Sequence, residues 1–359
     1  MKTNLSKKQL WLNKINLTKD DELYVGIDVH KKSYHVAFWL NHAPAIDFVM
    51  PPDNEKLIDT LNKLRPAVRM VVYEAGPTGY SLARAIQNAN LPVSVVAPSK
   101  TPRQSAPDSK TDSLDARKLA EYAAKGLLRH VTIPTRHQEA QRQLTRLREQ
   151  LVAKQTRVKL QIKGFLLQHG ISQPQGLSHW SVAAVQYLKN VRLSEQLRYC
   201  LDSLLDELRF TVEHRKLTEQ KIKDAFSGKP HSTVCKLLAT HPGIGPTIAA
   251  QFAAEIFNPR RFKDKTQLAK YVGLAPSVKQ SGQTLRDGPI LKTGRPQLRC
   301  SLIQGAWLWI RADHDAHKTF CRLVHNTGHK NKAITAMARK LAVHLWKMAC
   351  DNKPYACAV

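Results

Sequence analysis

Two aspartates three residues apart offer the clearest chemistry in the chain. Asp112 and Asp115 open a segment with helical character that continues to about residue 123. Side chains at positions i and i+3 share one face of a helix, so the two carboxylates would lie side by side. Such a pair repels unless a positive charge lies between its members. The spacing therefore predicts a cation at this helix start.

Two more acids follow apolar runs with strand character. Asp28 ends one near the N-terminus, and Glu74 directly follows a later one. If these strands are neighbours, their carboxyl ends bring Asp28 and Glu74 together, and the helix carrying Asp112 and Asp115 could pack at the same edge. Oxygen ligands with little nitrogen or sulfur suit Mg²⁺ or Mn²⁺. Two such ions can activate an attacking oxygen and stabilise a leaving oxygen at phosphorus.

Each acid taken alone also has an ordinary structural explanation. Asp112 could cap a helix, Asp115 could pair with Arg117 or Lys118, and Asp28 could simply end a strand. Only the four together favour a metal site.

The composition predicts a polyanionic partner. The chain has 56 Lys and Arg residues against 28 Asp and Glu, a formal net charge of +28 spread along its length. Nucleic acid is the first candidate for such a surplus, and an acidic membrane surface is the second. The sequence has no apolar run of about 18 residues, as a membrane helix requires, and no signal peptide. Six cysteines without Cys-x-x-Cys spacing indicate reduced thiols, so we expect a cytoplasmic protein.

The alternation of elements predicts an α/β domain in the first third of the chain. From residue 23 to about 126 the pattern is three strands, a helix, a strand, a helix, a strand, a loop and the acidic helix. That order is typical of the ribonuclease-H-like fold. A competing interpretation starts from Gly26-Ile27-Asp28, since sugar kinases and actin-like ATPases also open with Gly-x-Asp. We rank it second, because the following His30-Lys31-Lys32-Ser33 lacks the glycines of a phosphate-binding turn.

The middle of the chain, about 139–226, predicts two long helices separated by a turn-rich stretch at 170–178. Apolar residues recur at heptad spacing: Leu144, Leu147, Leu151, Val158 and Phe165 in the first run, and Leu201, Leu205, Leu208, Val212 and Ile222 in the second. A hairpin packed on itself and a coiled coil with another subunit both fit this pattern. The length of the runs favours dimerisation.

A third unit begins near residue 232. Pro242-Gly243-Ile244-Gly245 has the form of a helix-hairpin-helix turn, in which Gly243 and Gly245 could present backbone N–H groups to a phosphate. A tight turn without a ligand is the alternative. Residues 273–294 read as loop-rich, and helices follow at about 296–310 and 331–348. The last helix carries one apolar face formed by Ala333, Met337, Leu341 and Leu345.

Five motifs in order resemble the transposases of the IS110 and IS1111 insertion sequences, over about residues 23–347. They are Gly26–Lys31, Tyr73–Gly76, Lys110–Ala116, Pro242–Gly245, and Gly273–Pro276 with Gln280–Gly282. The N-terminal residues 1–22 read as a basic extension. The resemblance implies a RuvC-like ribonuclease-H-like domain (23–135), a coiled coil (136–230) and a mainly α transposase domain with a helix-hairpin-helix and a serine loop (231–359).

The resemblance also implies functional residues and partners. The family's Asp-Glu-Asp-Asp tetrad falls on Asp28, Glu74, Asp112 and Asp115, and its DNA-linking serine falls on Ser281. It further implies a composite active site, a tetramer built as a dimer of dimers, and a structured bridge RNA that pairs with donor and target DNA. Such a protein would work at the nucleoid of a bacterial cell.

Basic residues near Ser281 are candidates for phosphate contact or for charge stabilisation at phosphorus. We favour Arg295 and Arg299, because they flank a helix start, and the alternative for each is a solvated surface residue. The full set is Lys279, Arg286, Lys292, Arg295 and Arg299.

We therefore expect a site-specific DNA recombinase that works through a 5′-phosphoserine-type intermediate, guided by RNA. The first alternative is a metal-dependent, junction-resolvase-like nuclease that acts by hydrolysis. The second is a nucleic-acid-binding protein that only inherited an enzyme fold.

Overall fold

The computed structural model describes residues 7–98, 101, 112–228, 231–281, 284–291 and 294–356. Side chains are described for all of these except residues 7, 231, 232 and 278–287. The chain divides into two compact units, Met1–Ile133 and Pro134–Val359.

A mixed six-stranded sheet forms the centre of the first unit. An antiparallel meander comprises β1 (Leu23–Val29), β2 (Tyr34–Leu40) and β3 (Ala43–Met50). Parallel pairing joins β1 to β4 (Val68–Glu74) and β4 to β5 (Val93–Val96), and β6 (His130–Val131) lies antiparallel at the edge. The spatial order is β3-β2-β1-β4-β5-β6.

Helices cover both faces of this sheet. One face packs on α2 (Asn54–Asn62) and α3 (Ser81–Asn88), and the other on α4 (Asp112–Ala124). The predicted order of elements is present, although the loop predicted before α4 lies largely outside the described residues. This mixed α/β unit is consistent with a ribonuclease-H-like domain.

The predicted N-terminal extension contains a helix, α1 (Lys7–Lys14), that the sequence analysis missed. Its Trp11 ring lies 5.5 Å from the Phe38 ring, centroid to centroid. The apolar side chains among its lysines therefore contribute to the sheet's core.

The second unit is mostly helical and begins with a long helical hairpin. It consists of α5 (Arg136–Gln168), α6 (Val182–Asn190) and α7 (Glu195–Ala225). Helices α5 and α7 pack on each other within one chain, with Val158, Ile162 and Leu166 buried against Leu201 and its neighbours. This is the first of the two predicted alternatives, and pairing with another subunit stays a prediction.

The predicted heptad stripe on α5 is only partly buried. Leu151 and Val158 are buried, but Leu147 is 41% exposed, and Leu166 replaces Phe165 as the fully buried residue. A straight α-helix drifts by about 20° per heptad relative to an exact seven-residue repeat. The buried stripe therefore moves one residue along by the end of the helix.

The remaining helices surround one large core. They are α8 (His231–Leu238), α9 (Pro246–Ile256), α10 (Lys265–Tyr271), α11 (Pro296–Ala312), α12 (His314–Thr327) and α13 (Lys330–Asp351). The predicted apolar face of α13 is confirmed, since Ala333, Met337, Leu341 and Leu345 are all fully buried. None of the helices in the described ranges has the extended apolar stretch that crossing a bilayer requires.

The stretch predicted to be loop-rich instead contains a β-hairpin. Strand β7 (Pro276–Ser281) pairs antiparallel with β8 (Thr284–Ile290), with Lys279 opposite Arg286. Gly288 and Pro289 lie inside β8 and are residue types that disfavour strand interiors, so local propensity indicated a loop. Pairing between the two strands overrides that propensity.

Candidate active site

The sheet register brings Asp28 and Glu74 together. Strands β1 and β4 are parallel, with Ile27 opposite Tyr73, so the two acids follow at adjacent positions. Alternation along a strand places Glu74 on the same face as Val72, which packs in the small core beneath α4. Both acids therefore lie at the carboxyl end of the sheet, on the side that α4 covers.

A glycine allows α4 to reach this edge. A Cβ atom on Gly26 would clash with the carbonyl oxygen of Ala116 and lie 2.5 Å from the amide nitrogen of Ala120. The backbone of α4 can rest on β1 only because that atom is missing. This contact sets the first turn of α4, with Asp112 and Asp115, beside the end of β1.

Asp28 and Asp112 meet around a histidine that the sequence analysis did not single out. His30 Nε2 lies 3.0 Å from Asp28 Oδ2 and 3.5 Å from Asp112 Oδ2. Among the described side chains, these three form the group whose potential ligand atoms all lie within 4.8 Å of one another. Asp28 is about one-quarter exposed and Asp112 about one-half, so a cation from solvent can reach them.

The other two predicted acids, Glu74 and Asp115, are not members of this close group. Glu74 Oε1 accepts a hydrogen bond of 2.8 Å from Thr101 Oγ1, which holds one of its carboxylate oxygens. Asp115 is half-buried on the next turn of α4. Arg117, considered above as a partner of Asp115, pairs instead with Asp47.

Strand pairing adds two polar residues that the sequence did not indicate. His35 lies opposite Asp28 in the antiparallel register, and its Nε2 is 3.5 Å from Asp112 Oδ2. Asp47 lies on the edge strand β3 and accepts a hydrogen bond of 2.9 Å from Ser113 Oγ. This bond connects the first turn of α4 to that strand. Side chains alternate between the two faces of β2 and β3, so the strand register would have placed both residues on the face of the sheet that α4 covers.

The donor set fits a divalent cation. Carboxylate oxygens are the ligands that Mg²⁺ and Mn²⁺ take in proteins, and an imidazole nitrogen is a common ligand of transition-metal ions. The positions of Asp28, His30 and Asp112 allow one ion to contact all three.

Ser281 is the last residue of β7, and its backbone pairs with Thr284. Its side chain, and those of Lys279 and Arg286, lie outside the described part of the chain, as does the whole of Lys292. The roles predicted for these four residues stay predictions.

The predicted helix-hairpin-helix turn joins α8 to α9. A Cβ on Gly243 (φ +91°) would clash with the carbonyl oxygen of Gly305 on α11, so this glycine allows the turn to pack on that helix.

Burial lowers the pKa of His241, just before the turn, to about 4. The ring is therefore neutral at pH 7, and Nδ1–H donates to the Pro242 carbonyl at 2.8 Å. Gly245 is exposed at the start of α9, and phosphate contact stays a prediction for both glycines.

The two favoured arginines both have protein partners. Arg295 Nη2 lies 2.6 Å from Glu149 Oε2, and its Nε lies 3.4 Å from Glu255 Oε1. Arg299 Nη1 donates to the Gly273 carbonyl oxygen at 3.3 Å. Neither is the solvated surface residue considered as the alternative, and their contact with nucleic acid stays a prediction.

A basic cleft of about 390 Å³ lies beside the start of β7. Three cations line it, Lys265 on α10 with Arg339 and Lys340 on α13, and no sequence pattern indicated them. Pro276, the first residue of β7, and His344 complete part of its wall. The two helices bring these charges together from positions more than seventy residues apart.

Comparison with known proteins identifies the family. A model of the DEDD transposases of the IS110 type matches residues 25–171, which include all four acids. A second model, for the IS116/IS110/IS902 transposases, matches residues 235–322, which include Gly243 and Ser281. A putative transposase of Sinorhizobium fredii, y4rJ, is 32% identical over 308 residues, covering 77% of this chain and 76% of its own.

The chain belongs to the IS110/IS1111 family of insertion-sequence transposases. The transposase of element IS1111A from Coxiella burnetii is 24% identical over 341 residues, covering 93% of this chain and 91% of its own. The transposase of element IS1533 from Leptospira borgpetersenii is also 24% identical over 341 residues. That match covers 93% of this chain and 97% of the relative. This transposase is therefore a DNA-processing enzyme, and its DEDD domain implies the use of a divalent metal.

Proposed function

We propose that this transposase is a site-specific recombinase that cuts and rejoins DNA through a covalent link to Ser281. The observation that carries the proposal is the meeting of Asp28 and Asp112 at the carboxyl end of β1. Family membership makes DNA the substrate of that acidic group. The resemblance to serine-using relatives supplies the nucleophile.

The four acids Asp28, Glu74, Asp112 and Asp115 would hold Mg²⁺ or Mn²⁺. When bound, the metal would supply positive charge near the transferring phosphorus. Two features of the chain support a role for the acids as ligands. Gly26 fixes α4 against β1, and Thr101 orients the Glu74 carboxylate.

In the proposed step, Ser281 Oγ forms a bond to a DNA phosphorus. The bond from that phosphorus to one deoxyribose oxygen breaks, and that oxygen takes a proton as Oγ loses one. Attack by the freed hydroxyl of another strand reverses the chemistry and releases the serine. The phosphodiester energy is conserved in the intermediate, so rejoining needs no further energy source.

A bridge RNA that pairs with donor and target DNA would supply sequence choice. The protein would then need only to hold backbones, as in other guided systems. Exposed Gly245 and the cleft formed by Lys265, Arg339 and Lys340 are suited to that task. The excess of basic residues supports it.

We propose further that the transposase works as a dimer of dimers assembled through the α5–α7 hairpin. Large apolar side chains remain exposed on the outer faces of these helices. They include Leu160, Leu167, Phe210 and Leu217, each between 58% and 80% exposed. A partner helix would remove this apolar surface from water.

Ser281→Ala tests the proposed nucleophile. With labelled donor and target DNA and the cognate RNA, the wild-type chain should give a protein–DNA adduct that survives denaturing electrophoresis. The variant should give no adduct, and recombination should fall by about 10³-fold or more. Ser277→Ala, on the same strand, is the matched control. It should still form the protein–DNA adduct and recombine DNA at the wild-type rate.

Asp115→Asn helps to distinguish the recombinase from the hydrolytic nuclease and from a nucleic-acid-binding protein without activity. If the protein is the recombinase, this variant should also fail to form the protein–DNA adduct. If Ser281→Ala still cleaves DNA while Asp115→Asn does not, the enzyme is a hydrolytic nuclease. If Asp115→Asn recombines DNA at the wild-type rate, the carboxylates have no part in the mechanism.

A further inference from the structure

His30 occupies the space between two acids on different elements. It directly follows β1, and its backbone N–H donates to the Ser33 carbonyl at 3.0 Å, which fixes the turn into β2. The turn returns the ring over the strand end, where Nε2 approaches Asp28 at 3.0 Å and Asp112 at 3.5 Å. The His35 ring packs edge-on against it, with centroids 5.8 Å apart.

Asp28 Oδ2, Asp112 Oδ2 and His30 Nε2 converge at the end of β1, and all three residues are partly exposed to solvent. The separations of 3.0 and 3.5 Å match a hydrogen bond from the ring, and they also match the roughly 3 Å between adjacent ligand atoms of an octahedral ion. Since all three potential ligand atoms lie within 4.8 Å of one another, one cation can contact all of them.

We propose that His30 Nε2 is a ligand of the cation at this site and shifts its preference from Mg²⁺ toward Mn²⁺. The inference rests on the proposed metal-dependent function, and it adds a nitrogen to a site otherwise made of carboxylates. Mg²⁺ favours an all-oxygen shell of carboxylates and waters. Transition-metal ions also accept an imidazole nitrogen, and Mn²⁺ is the weakest binder of that series, so the expected shift toward Mn²⁺ is modest. His30 is thus a specificity-determining residue of the metal site.

His35 provides a matched control from the same face of the sheet. Its Nε2 is also 3.5 Å from Asp112 Oδ2, yet it does not belong to the group of three. Its ring is less exposed than that of His30, about one-fifth against nearly one-half. Replacing His35 removes a neighbouring imidazole without removing the proposed ligand.

The test uses the full-length protein with Mn²⁺ as the sole divalent ion and no nucleic acid. Pulsed electron paramagnetic resonance detects a directly bound nitrogen as ¹⁴N modulation of the Mn²⁺ echo. We expect this modulation in the wild-type chain and in His35→Asn, and its loss in His30→Asn. Titrations should show Mn²⁺ affinity falling at least about tenfold in His30→Asn, with Mg²⁺ affinity changed much less.

The outcomes distinguish this inference from the proposed function. If the ¹⁴N modulation persists in His30→Asn, or is lost in His35→Asn instead, His30 is not the ligand. If Mn²⁺ binds without any ¹⁴N modulation and Asp112→Asn weakens it, the carboxylate site stands and only the inference fails. If the wild-type chain binds no Mn²⁺, both fail.

Discussion

Gly26 carries no functional group, yet its missing side chain lets the backbone of α4 rest on β1. The nearest atoms of α4 belong to the main chain of Ala116 and Ala120, which cannot swing away as a side chain can. The placement of Asp112 and Asp115 beside Asp28 therefore depends on this contact.

Gly26→Ala should displace α4 and with it half of the acidic group. Overpacking against backbone should destabilise the sheet unit by about 3 kcal/mol, and Mn²⁺ binding should weaken. Urea unfolding followed by circular dichroism measures the first effect, and Mn²⁺ titration measures the second.

Gly164→Ala on α5 is the control for Gly26→Ala. Gly164 is exposed, and a Cβ there would have no atom within 4 Å. Alanine is the better helix former by about 1 kcal/mol, so this variant should be as stable as wild type or slightly more so. If Gly26→Ala and Gly164→Ala unfold at the same urea concentration, α4 tolerates a side chain at position 26.

At the scale of elements, a buried ionic cluster joins α5, α9 and the start of α11. Glu255 on α9 is 1% exposed, and Arg146 on α5 holds it through two hydrogen bonds of 3.0 and 3.2 Å. Arg142 and Arg295 approach the same carboxylate at 3.5 and 3.4 Å. The helical hairpin and the helices around β7 are thus fixed to each other by charge as well as by apolar packing.

Glu255→Gln should leave the clustered arginines without a full counter-charge. Removing one member of a buried ion pair costs about 3–5 kcal/mol, so unfolding should move to a clearly lower urea concentration. Glu219→Gln is the control, because Glu219 also pairs with two arginines, Arg148 and Arg215, but is 28% exposed. Its loss should cost about 1 kcal/mol or less. A similar small cost for Glu255→Gln would contradict the importance of the buried cluster.

At the scale of the whole molecule, the positive surplus is uneven. Residues 134–359 hold 37 of the 56 basic residues but only 15 of the 28 acidic ones. Most of the attraction for a nucleic-acid backbone therefore resides in the helical unit, while the proposed metal ligands lie in the sheet unit.

Binding of duplex DNA should weaken steeply with salt. Each neutralised phosphate contributes about 0.9 to the slope of log affinity against log salt. Changing Lys265, Arg339 and Lys340 to Gln should lower the slope by up to about 2.7 if all three contact phosphates. Fluorescence anisotropy across a salt series measures this slope.

A triple variant of equal charge provides the comparison for the cleft. Lys56, Lys63 and Lys125 lie on the sheet unit and are exposed, so changing them to Gln should leave the slope close to the wild-type value. If both triple variants lower the slope equally, the charge acts diffusely and the cleft is not a docking site.

The sequence alone determined the order of strands and helices in the first unit, the positions of Asp28 and Glu74 at strand ends, and the apolar face of α13. These features depend on the periodicity of apolar residues and on the residue types at the ends of strands, and both are local properties of the chain. The motif resemblance supplied the family, which the comparisons confirmed.

The tertiary structure alone decided which side chains meet. The register of β1 and β2 placed His35 opposite Asp28. The packing of α4 on Gly26 placed Asp112 beside His30. Arg295 forms ion pairs with Glu149 and Glu255. The contacts of Asp112 and Arg295 join residues far apart in the chain, and the pairing of Asp28 with nearby His35 depends on the strand register. Local sequence pattern carries no information about either kind of contact. For the same reason the β7–β8 hairpin formed where single-residue propensities indicated a loop, since its stability comes from the opposite strand.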